Sequence, residues 1–341
     1  MSTKIESVDQ LLTVGLKDSW YAICPSSFIK NEPVSLRRLG LKLVLWRDDA
    51  GKLYALEDHC PHRGAPLSRG ILMGDRIACG YHGVQVRFDG VVTSVPGSPG
   101  CSLEGKRSTR SFPVREAHGA VFLYNASENV DEAPDFEMPE ELSSPDWANF
   151  LCYTEWNCDY RYAIDNVMDP MHGTYLHKQS HSMFEGAIEA EFGIREVPNG
   201  FVFEKKGQRG VNFDWTEWTN TGIQWLRLSI PYPASGGPGG SFFIIGAVVP
   251  IEENRTGVFF WRCRQVSGWQ RHAWQFLYRN RLEQRHWDVL EQDRVMMEDM
   301  EPDANERESL YQHDIGLVRL RRHLRNLASE QFETLKAAGK L

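Results

Sequence analysis

Two short segments, each carrying one cysteine and one histidine, constrain the fold of this chain more than any other feature. They place Cys60, His62, Cys79 and His82 in the order Cys-x-His, sixteen intervening residues, Cys-x-x-His. Thiolates and imidazoles bind transition metals, and soft thiolates in particular suit iron–sulfur chemistry. The sequence therefore predicts two loops that converge on one metal centre.

This ligand set matches that of a Rieske [2Fe–2S] cluster, in which two cysteines hold one iron and two histidines hold the other. A structural zinc site is the alternative, but zinc sites usually leave two to four residues between cysteines and three to five between histidines. Gly64, Gly80 and Gly83 lie beside the ligands, where glycine permits tight turns around a cofactor. The spacing favours the iron–sulfur cluster, which accepts and passes single electrons.

The length, charge and hydropathy of the chain exclude several classes of protein. Its 341 residues suit two domains, and its net charge of −8 gives no basic surface for nucleic acid or anionic lipid. No run of eighteen apolar residues occurs, and no apolar segment follows the first residues, so neither a membrane span nor a signal peptide is expected. These features predict a cytoplasmic protein without nucleic-acid or membrane partners.

Short β-prone runs separated by turns fill the first third of the sequence, which predicts a small all-β domain carrying the metal loops. The predicted strands are residues 41–46, 53–56, 84–88, 91–95 and 120–124. Asp89 and Gly90 form the predicted two-residue turn of a hairpin between the third and fourth of these strands. Residues 127–146 then hold several acids and three prolines, which is typical of an interdomain linker.

The second part of the chain mixes predicted strands with predicted helices. The strands are residues 151–156, 200–204, 223–230, 242–249 and 258–266, and the helices start near Asp159 and span about 269–300 and 305–338. A glycine-rich connection is predicted at residues 235–241. This pattern indicates an antiparallel sheet with helices on one side, an α+β arrangement. The predicted division is a first domain at 1–126, a linker at 127–147 and a second domain at 148–341.

A second candidate metal site includes His172 and His177, which are five residues apart. On an unbroken helix these side chains would point about 140° apart, but Gly173 can break or bend the helix so that the imidazoles converge. Two histidines and one carboxylate form the facial triad of non-haem Fe(II) oxygenases. The identity of the carboxylate stays open, and a solvated helix face is the alternative for the late acids, which are Asp288, Glu291, Asp293, Glu298 and Asp299.

The stretches 58–67, 79–83 and 158–177 resemble the terminal oxygenase component of Rieske non-haem iron oxygenases. Within that family the chain is most similar to the vanillate O-demethylase and phthalate-type oxygenases. The resemblance implies an N-terminal all-β Rieske [2Fe–2S] domain, followed by a catalytic domain of curved antiparallel sheet with covering helices. It also implies two cofactors, a [2Fe–2S] Rieske cluster and a mononuclear non-haem Fe(II).

The same resemblance implies a role for each candidate residue. It assigns the cluster to the two Cys–His pairs and the mononuclear iron to His172 and His177. Asp293 matches the third iron ligand, although Gln292 stands where relatives often have an acid, which leaves Glu298 as an alternative. Asp169 matches the acid that bridges the cluster and the iron between neighbouring subunits, with His82 as its partner on the cluster side, and a homotrimer is implied.

The activity implied by the resemblance is dioxygen-dependent hydroxylation or O-demethylation of a small aromatic, carboxylated substrate. Electrons would come from an NAD(P)H-dependent reductase containing flavin and an iron–sulfur cluster, or from a ferredoxin. Ring dihydroxylation and a plain electron carrier are the alternatives.

Arg227 is a candidate for binding the substrate carboxylate, with a surface position as the alternative. Candidates for the pocket wall, which ordinary sheet core would equally explain, are Trp215, Trp218, Trp225, Phe242 and Phe243.

Overall fold

The chain divides into two compact units. The computed structural model describes residues 5–179, 189–231 and 237–340. The first unit contains Met1–Asp135, Val249–Glu252 and Ala328–Leu341. The second unit contains Phe136–Val248 and Glu253–Leu327. Among the described residues, no helix combines the length and apolar character needed to cross a membrane.

The first unit includes two short segments that the sequence-based division gave to the second domain. The Leu39 N–H donates to the carbonyl of Pro250 at 2.8 Å. Near the end of the chain, the Gln331 side chain exchanges two hydrogen bonds with the backbone of Lys17. Local periodicity cannot reveal contacts between residues so far apart in sequence, and the predicted domain limits stay a prediction.

Ten short strands follow helix α1 (Val8–Val14) and build the first unit. They are β1 (Trp20–Pro25), β2 (Val34–Arg38), β3 (Leu41–Arg47), β4 (Leu53–Glu57), β5 (Ile71–Met73), β6 (Arg76–Ala78), β7 (Gln85–Arg87), β8 (Val92–Ser94), β9 (Val114–Ala117) and β10 (Ala120–Tyr124). They form three antiparallel sheets with the strand orders β1-β10-β9, β2-β3-β4 and β5-β6-β7-β8. The predicted strands of this region all fall on observed ones, and the all-β N-terminal domain is confirmed.

The predicted hairpin between β7 and β8 is present, but the predicted two-residue turn at Asp89 and Gly90 is wrong. Arg87 donates its N–H to the Val91 carbonyl at 2.9 Å and accepts the Gly90 N–H at 2.8 Å, so residues 88–90 form the turn, which ends at Gly90. This glycine has a φ of 82°, a conformation that other residues rarely adopt. A Cβ at this position would lie 1.9 Å from the carbonyl oxygen of Thr109. Both the backbone angle and the close approach therefore require glycine here.

A seven-stranded sheet forms the centre of the second unit. Its strands are β11 (Trp147–Trp156), β12 (Phe192–Val197), β13 (Gly200–Lys205), β14 (Trp215–Asn220), β15 (Gln224–Ile230), β16 (Phe242–Glu252) and β17 (Arg255–Gln265). Their spatial order is β11-β17-β16-β15-β14-β13-β12, with antiparallel pairing between neighbours. The predicted antiparallel sheet of an α+β domain is thereby confirmed. Part of the predicted glycine-rich connection, residues 235 and 236, lies outside the described residues.

The helices of the second unit largely follow the predicted ones. They are α2 (Glu140–Ser143), α3 (Tyr160–Met168), α4 (His172–Leu176), α5 (Gly268–Leu277), α6 (Glu283–Glu298), α7 (Ala304–Arg307) and α8 (Ile315–Ala337), with a π-helical turn, Tyr278–Leu282, between α5 and α6. The predicted start near Asp159 is confirmed, because its carboxylate caps α3 by accepting the Arg161 N–H at 2.8 Å. The last α8 residues cluster with the first unit.

Strand register divides the side chains of this sheet between two faces. The Thr216 hydroxyl on β14 donates to the Met168 carbonyl at the end of α3 at 2.8 Å, which marks the helix-covered face. Thr216 pairs with Leu228 on β15, and Ile230 pairs with Phe242 on β16, so these four side chains share that face. Arg227 precedes Leu228 on β15, so its side chain lies on the opposite face of the sheet, called here the outer face.

Several observed elements were not predicted from the sequence: α1, β1, β2, β5, β6 and β9 in the first unit, and β12, β14 and α2 in the second. Strands β12 and β14 are six residues each, but neither alternates regularly between apolar and polar residues, because Arg195–Glu196 and Thr216–Glu217 interrupt the pattern. Helix α2 lies within the predicted linker and contains the buried Glu141 and Leu142. Pairing with β13 and β15, rather than local propensity, determines the two strands.

Candidate metal centres

Two loops of the first unit repeat one backbone arrangement around their cysteines. In the first, the Cys60 N–H donates to the carbonyl of Ala65 at 2.8 Å, and its carbonyl accepts from the Gly64 N–H at 2.9 Å. Cys79 makes the equivalent bonds with the residues five and four positions later, also at 2.8 and 2.9 Å. Gly64 and Gly83 have φ angles of 76° and 72°, so both loops turn through a conformation suited to glycine.

The loops bring the four predicted cluster ligands together. Cys60 and Cys79 belong to a hydrophobic core and are 1% and 3% exposed. His62 and His82 are exposed, and their ring centroids lie 4.8 Å apart. Burial raises the pKa of the Cys60 thiol to about 11, so a metal bound here must displace its proton. Two buried thiols opposite two exposed imidazoles fit a cluster with a thiolate iron and an imidazole iron.

We expect Gly80→Ala to destabilise the first unit and to lower its cluster content. A Cβ at Gly80 would lie 2.5 Å from the carbonyl oxygen of Arg69, and overpacking of this kind costs about 1–3 kcal/mol. Gly97→Ala is the matched control, because no atom lies within 4 Å of its added Cβ. Denaturant unfolding followed by cluster absorbance measures the difference, and equal free energies of unfolding for both variants would contradict it.

The second candidate centre begins where α3 ends. Asp169 follows the helix, and its Oδ1 accepts the Met171 N–H at 2.7 Å, while Oδ2 accepts the His172 N–H at 3.2 Å. The same Oδ2 lies 3.8 Å from Nδ1 of His172. The side chain of Asp169 is 38% exposed. The carboxylate therefore fixes the start of α4 and contacts the first predicted iron histidine while keeping an open side.

The two histidines converge because α4 is only one turn long. His172 is its first residue, and His177 follows its last residue with a non-helical ψ of 34°. Their ring centroids lie 5.1 Å apart. The predicted break at Gly173 is wrong: this glycine is buried inside α4, and the chain leaves helical geometry at His177 instead. Ending the helix early removes the angular separation that a longer helix would impose.

Asp293 on α6 completes a group of three candidate ligands. Its Oδ1 lies 3.4 Å from Nε2 of His172 and 3.2 Å from Nε2 of His177. Glu298, the alternative from the sequence, lies elsewhere, because it accepts the Asn157 N–H at 2.8 Å and pairs with Arg294. Ligand atoms from the three residues lie within 4.8 Å of one another. The geometry therefore supports Asp293 over Glu298.

These three side chains fit a mononuclear metal ion. Atoms on neighbouring corners of a coordination shell lie roughly 3 Å apart when each metal bond is about 2.1 Å. Among the described residues, Asp293 Oδ1 lacks a hydrogen bond of good geometry although it is buried. Burial would raise the pKa of Asp293, but the imidazoles of His172 and His177 hold it well below its usual range. A buried carboxylate facing two imidazoles is stabilised when a cation lies between them.

The charges around His172 also favour a bound metal ion. Burial lowers the pKa of His172, but Asp169 and Asp293 outweigh that effect and raise the pKa to about 10. Burial would raise the pKa of Asp169, but His172 and two backbone N–H groups hold it below its usual value. Two carboxylates around one imidazole thus attract positive charge, and a divalent metal supplies it in place of a proton.

Gln292, which stands where related proteins often have an acid, is a further candidate functional residue. Its Oε1 lies 2.9 Å from Nδ1 of His177. An amide oxygen only accepts, so Nδ1 donates to it, and Nε2 on the side of Asp293 is the nitrogen left to bind a metal. Partners of this kind fix the ring orientation and tautomer of metal-binding histidines.

We expect Gln292→Leu to weaken metal binding at this centre by about 10- to 100-fold, the usual effect of removing such a partner. Gln292→Glu is the matched variant, because it keeps an oxygen acceptor for His177 Nδ1. Iron retained after dialysis against graded chelator concentrations gives the two affinities. The role assigned to Gln292 would be wrong if the leucine variant held iron as tightly as the glutamate variant.

The predicted pocket residues divide between the two faces of the sheet. Phe242 lies on the helix-covered face. Arg227 lies on the outer face, where it is 2.6 Å from Glu141 and stacks over Trp215 and Phe243. The structure therefore contradicts the use of Arg227 for a substrate carboxylate, because a buried acid already occupies its guanidinium. Trp215, Trp225 and Phe243 share this outer face, and Trp218 shares the face of Thr216.

Profiles of known protein families match both the first and the second part of the chain. The profile described as the Rieske [2Fe–2S] domain matches residues 19–113. The profile described as the vanillate O-demethylase oxygenase C-terminal domain matches residues 156–330, just over half of the chain. The chain belongs to the vanillate O-demethylase oxygenase C-terminal domain family. In this member a Rieske domain precedes the family domain, and the resemblance predicted from the motifs is confirmed.

Individual relatives of this family member agree with that assignment. The chain is 33% identical over 164 residues to the vanillate O-demethylase oxygenase subunit of Pseudomonas sp. (strain HR199 / DSM 7063). The matched stretch covers 48% of this chain and 46% of the relative. It spans about half the length of the curated relatives it matches first.

Solved structures share the fold of the chain. The terminal oxygenase of carbazole 1,9a-dioxygenase from Nocardioides aromaticivorans IC177 matches with a TM-score of 0.73 and 21% identity, covering 94% of this chain and 96% of the other. The oxygenase–ferredoxin complex of carbazole 1,9a-dioxygenase in its reduced form matches with a TM-score of 0.72 and 21% identity, covering 96% and 93%. The predicted fold class is confirmed by these likenesses.

Proposed function

We propose that this chain is the terminal oxygenase of a Rieske-type system that uses dioxygen to hydroxylate or O-demethylate a small aromatic substrate. One observation carries the proposal: His172, His177 and Asp293 form a ligand group, with His177 and Asp293 buried and His172 half-buried, in a chain that also has a Rieske domain. A non-haem Fe(II) held by two histidines and one carboxylate leaves open positions and supplies dioxygen activation. The vanillate O-demethylase relative favours O-demethylation.

The chain's own residues divide the work in this proposal. Cys60, His62, Cys79 and His82 hold the [2Fe–2S] cluster that takes up electrons. Asp169 contacts His172, and its exposed side is available to a cluster histidine such as His82 of a neighbouring subunit in the proposed homotrimer. Gln292 keeps His177 in the metal-binding tautomer. Helix α6 brings Asp293 to both histidines.

The electron donor in this proposal is a separate protein, either an NAD(P)H-dependent reductase with flavin and an iron–sulfur cluster or a ferredoxin. The solved oxygenase–ferredoxin complex of carbazole 1,9a-dioxygenase supports such a donor, since it has the same fold. The sequence contains no GxGxxG motif after a strand that would bind the nicotinamide cofactor itself. All seven cysteines are free, which suits the proposed cytoplasmic location.

The proposal is tested with protein purified anaerobically, reconstituted with iron and supplied with electrons by a surrogate ferredoxin and reductase. Three irons per chain, oxygen uptake and formaldehyde release from a panel of methoxylated aromatics are the expected results. Two irons per chain with no oxygen uptake would instead indicate an electron carrier. Labelled dioxygen separates the second candidate, ring dihydroxylation, because both of its oxygen atoms would then appear in a product that keeps its methyl group.

A further inference from the structure

The connection between β13 and β14 packs against the short helix that carries the candidate metal-binding histidines. Asn212 in this connection is 0% exposed, and its Nδ2 donates to the Thr174 hydroxyl on α4 at 3.1 Å. Its Oδ1 accepts the N–H of Phe213 at 2.6 Å. Because the buried amide has a partner at both ends, its orientation towards α4 is fixed.

The next residue of the connection contacts one of the histidines directly. Phe213 is 2% exposed, and its ring centroid lies 5.6 Å from that of His172, with an angle of 85° between the ring planes. This edge-to-face arrangement is favourable for aromatic rings. Two consecutive residues of one connection therefore act on the same helix, Asn212 on its middle and Phe213 on the ring of its first residue.

Neighbouring hydrogen bonds hold the connection itself in place. The Asp214 side chain is buried, and its Oδ2 accepts the N–H groups of Val211 at 3.0 Å and Asn212 at 3.3 Å. Two residues later, the Thr216 hydroxyl on β14 binds the Met168 carbonyl at the end of α3 at 2.8 Å. The stretch from Asn212 to Thr216 thus joins the sheet to both helices on either side of Asp169.

Helix α4 needs such support because it is only five residues long. A single helical turn gains few hydrogen bonds for the residues that it orders, so it is unstable without tertiary contacts. Asp169 fixes the start of α4 through two backbone N–H groups. The bond from Asn212 fixes its middle, two residues after His172 and three before His177. Without that bond, the distance between the two imidazoles would be less well defined.

We propose that Asn212 is a positioning residue for the mononuclear metal site, which acts through Thr174 to hold His172 and His177 at the separation that one metal ion requires. The inference rests on the proposed function for the existence of that site, and it adds the residues that set how tightly the site binds. Ligands held in place by packing and hydrogen bonds lose less conformational freedom when the ion binds, so the affinity is higher.

The test is binding of Co²⁺ to the full chain, with its oxidised cluster retained and its mononuclear iron removed, which needs neither dioxygen nor turnover. Thr174→Val keeps the shape of the side chain but removes the hydroxyl, whereas Thr174→Ser keeps the hydroxyl. We expect about tenfold weaker Co²⁺ binding and a broadened Co²⁺ paramagnetic resonance signal in the valine variant. The serine variant should resemble the unaltered chain. Unchanged affinity and signal in Thr174→Val would overturn the proposal.

Thr256→Val is the matched control for general destabilisation. Thr256 on β17 is also 0% exposed, and its hydroxyl donates to the Cys158 carbonyl at 2.9 Å, so the same chemical change removes a buried hydrogen bond that does not involve α4. Both valine variants should lower the free energy of unfolding, but only Thr174→Val should weaken Co²⁺ binding. Equal weakening in Thr256→Val would mean that any loss of stability has this effect, and the positioning role would be excluded.

A double substitution tests the route from Asn212 to the metal. Asn212→Leu removes the other partner of the bond and should also weaken Co²⁺ binding. If Asn212 acts through Thr174, adding Thr174→Val should weaken binding no further than Asn212→Leu alone. Additive losses would show two independent effects and overturn the proposed route. If Asn212→Leu does not fold, the comparison of Thr174→Val with Thr174→Ser decides.

Failure of this inference and failure of the proposed function give different results. Co²⁺ binding that is equal in the unaltered chain and in Thr174→Val would exclude the positioning role and leave the oxygenase proposal intact. Weakened binding in Thr174→Val, without oxygen uptake by the iron-loaded unaltered chain, would keep the positioning role and exclude the oxygenase. An unaltered chain that binds no Co²⁺ would overturn both.

Discussion

Asp293→Asn is expected to empty the mononuclear site while leaving the [2Fe–2S] cluster in place. The variant keeps the size of the side chain but loses the charge that faces His172 and His177 at 3.4 and 3.2 Å. Iron affinity should fall by more than the roughly 10- to 100-fold that loss of an outer partner costs, since Asp293 is a proposed ligand itself. Iron analysis should show only the cluster irons, with unchanged visible absorbance and no product.

Glu298→Gln is the matched control for this experiment. Glu298 lies on the same helix, but its carboxylate accepts the Asn157 N–H and pairs with Arg294, away from the histidines. This variant should keep the third iron and its activity. If Glu298→Gln lost the iron and Asp293→Asn retained it, the assignment of the third ligand would have to be reversed.

Asp169→Asn is expected to leave cofactor binding at both centres intact while slowing turnover, because electrons would cross between the centres more slowly. Asparagine still offers one oxygen to the backbone N–H groups that start α4, but it has no charge to hold a proton on His172 Nδ1. Both cofactors should bind, and dithionite should still reduce the cluster. Turnover should fall by about 10- to 100-fold, the usual range for a partner of a metal-binding histidine.

A rapid-mixing experiment checks this expectation directly. The chemically reduced variant is mixed with dioxygen and substrate, and reoxidation of the cluster is followed by its absorbance. Slow reoxidation in Asp169→Asn, with normal rates in Asp299→Asn, would support the bridging role, because Asp299 is an exposed acid after the end of α6. Normal reoxidation in Asp169→Asn would remove Asp169 from the electron route.

The metal loops of the Rieske part were predictable because their determinants are local. Each metal loop is defined within a few residues by a cysteine, a histidine and a glycine with positive φ, as at Gly64 and Gly83. The hairpin at Gly90 is equally local. No long-range information is needed to place any of these features, and the structure brings the two histidine rings within 4.8 Å and both cysteines into one hydrophobic core.

The third ligand was not predictable, because it depends on how distant elements pack. Asp293 and Glu298 lie on one helix, and only the position of α6 against α4 distinguishes them. Arg227 and Arg262 are both arginines on strands, yet Arg227 pairs with Glu141 on the outer face, whereas Arg262 donates to the His286 carbonyl on α6. Side-chain direction alternates at every residue of a strand, so a face cannot be assigned without the pairing.

The unequal exposure of the cluster ligands makes the cofactor one-sided. Both cysteines are almost fully enclosed by the core, whereas both imidazole rings face outwards. An oxidant in solution would therefore meet nitrogen ligands first, and the sulfur atoms most prone to damage would be shielded by the protein. Any redox partner would likewise have to approach the imidazole edge, so a substitution near Tyr81, which is 59% exposed there, should alter docking rates without altering the chemistry of the cluster.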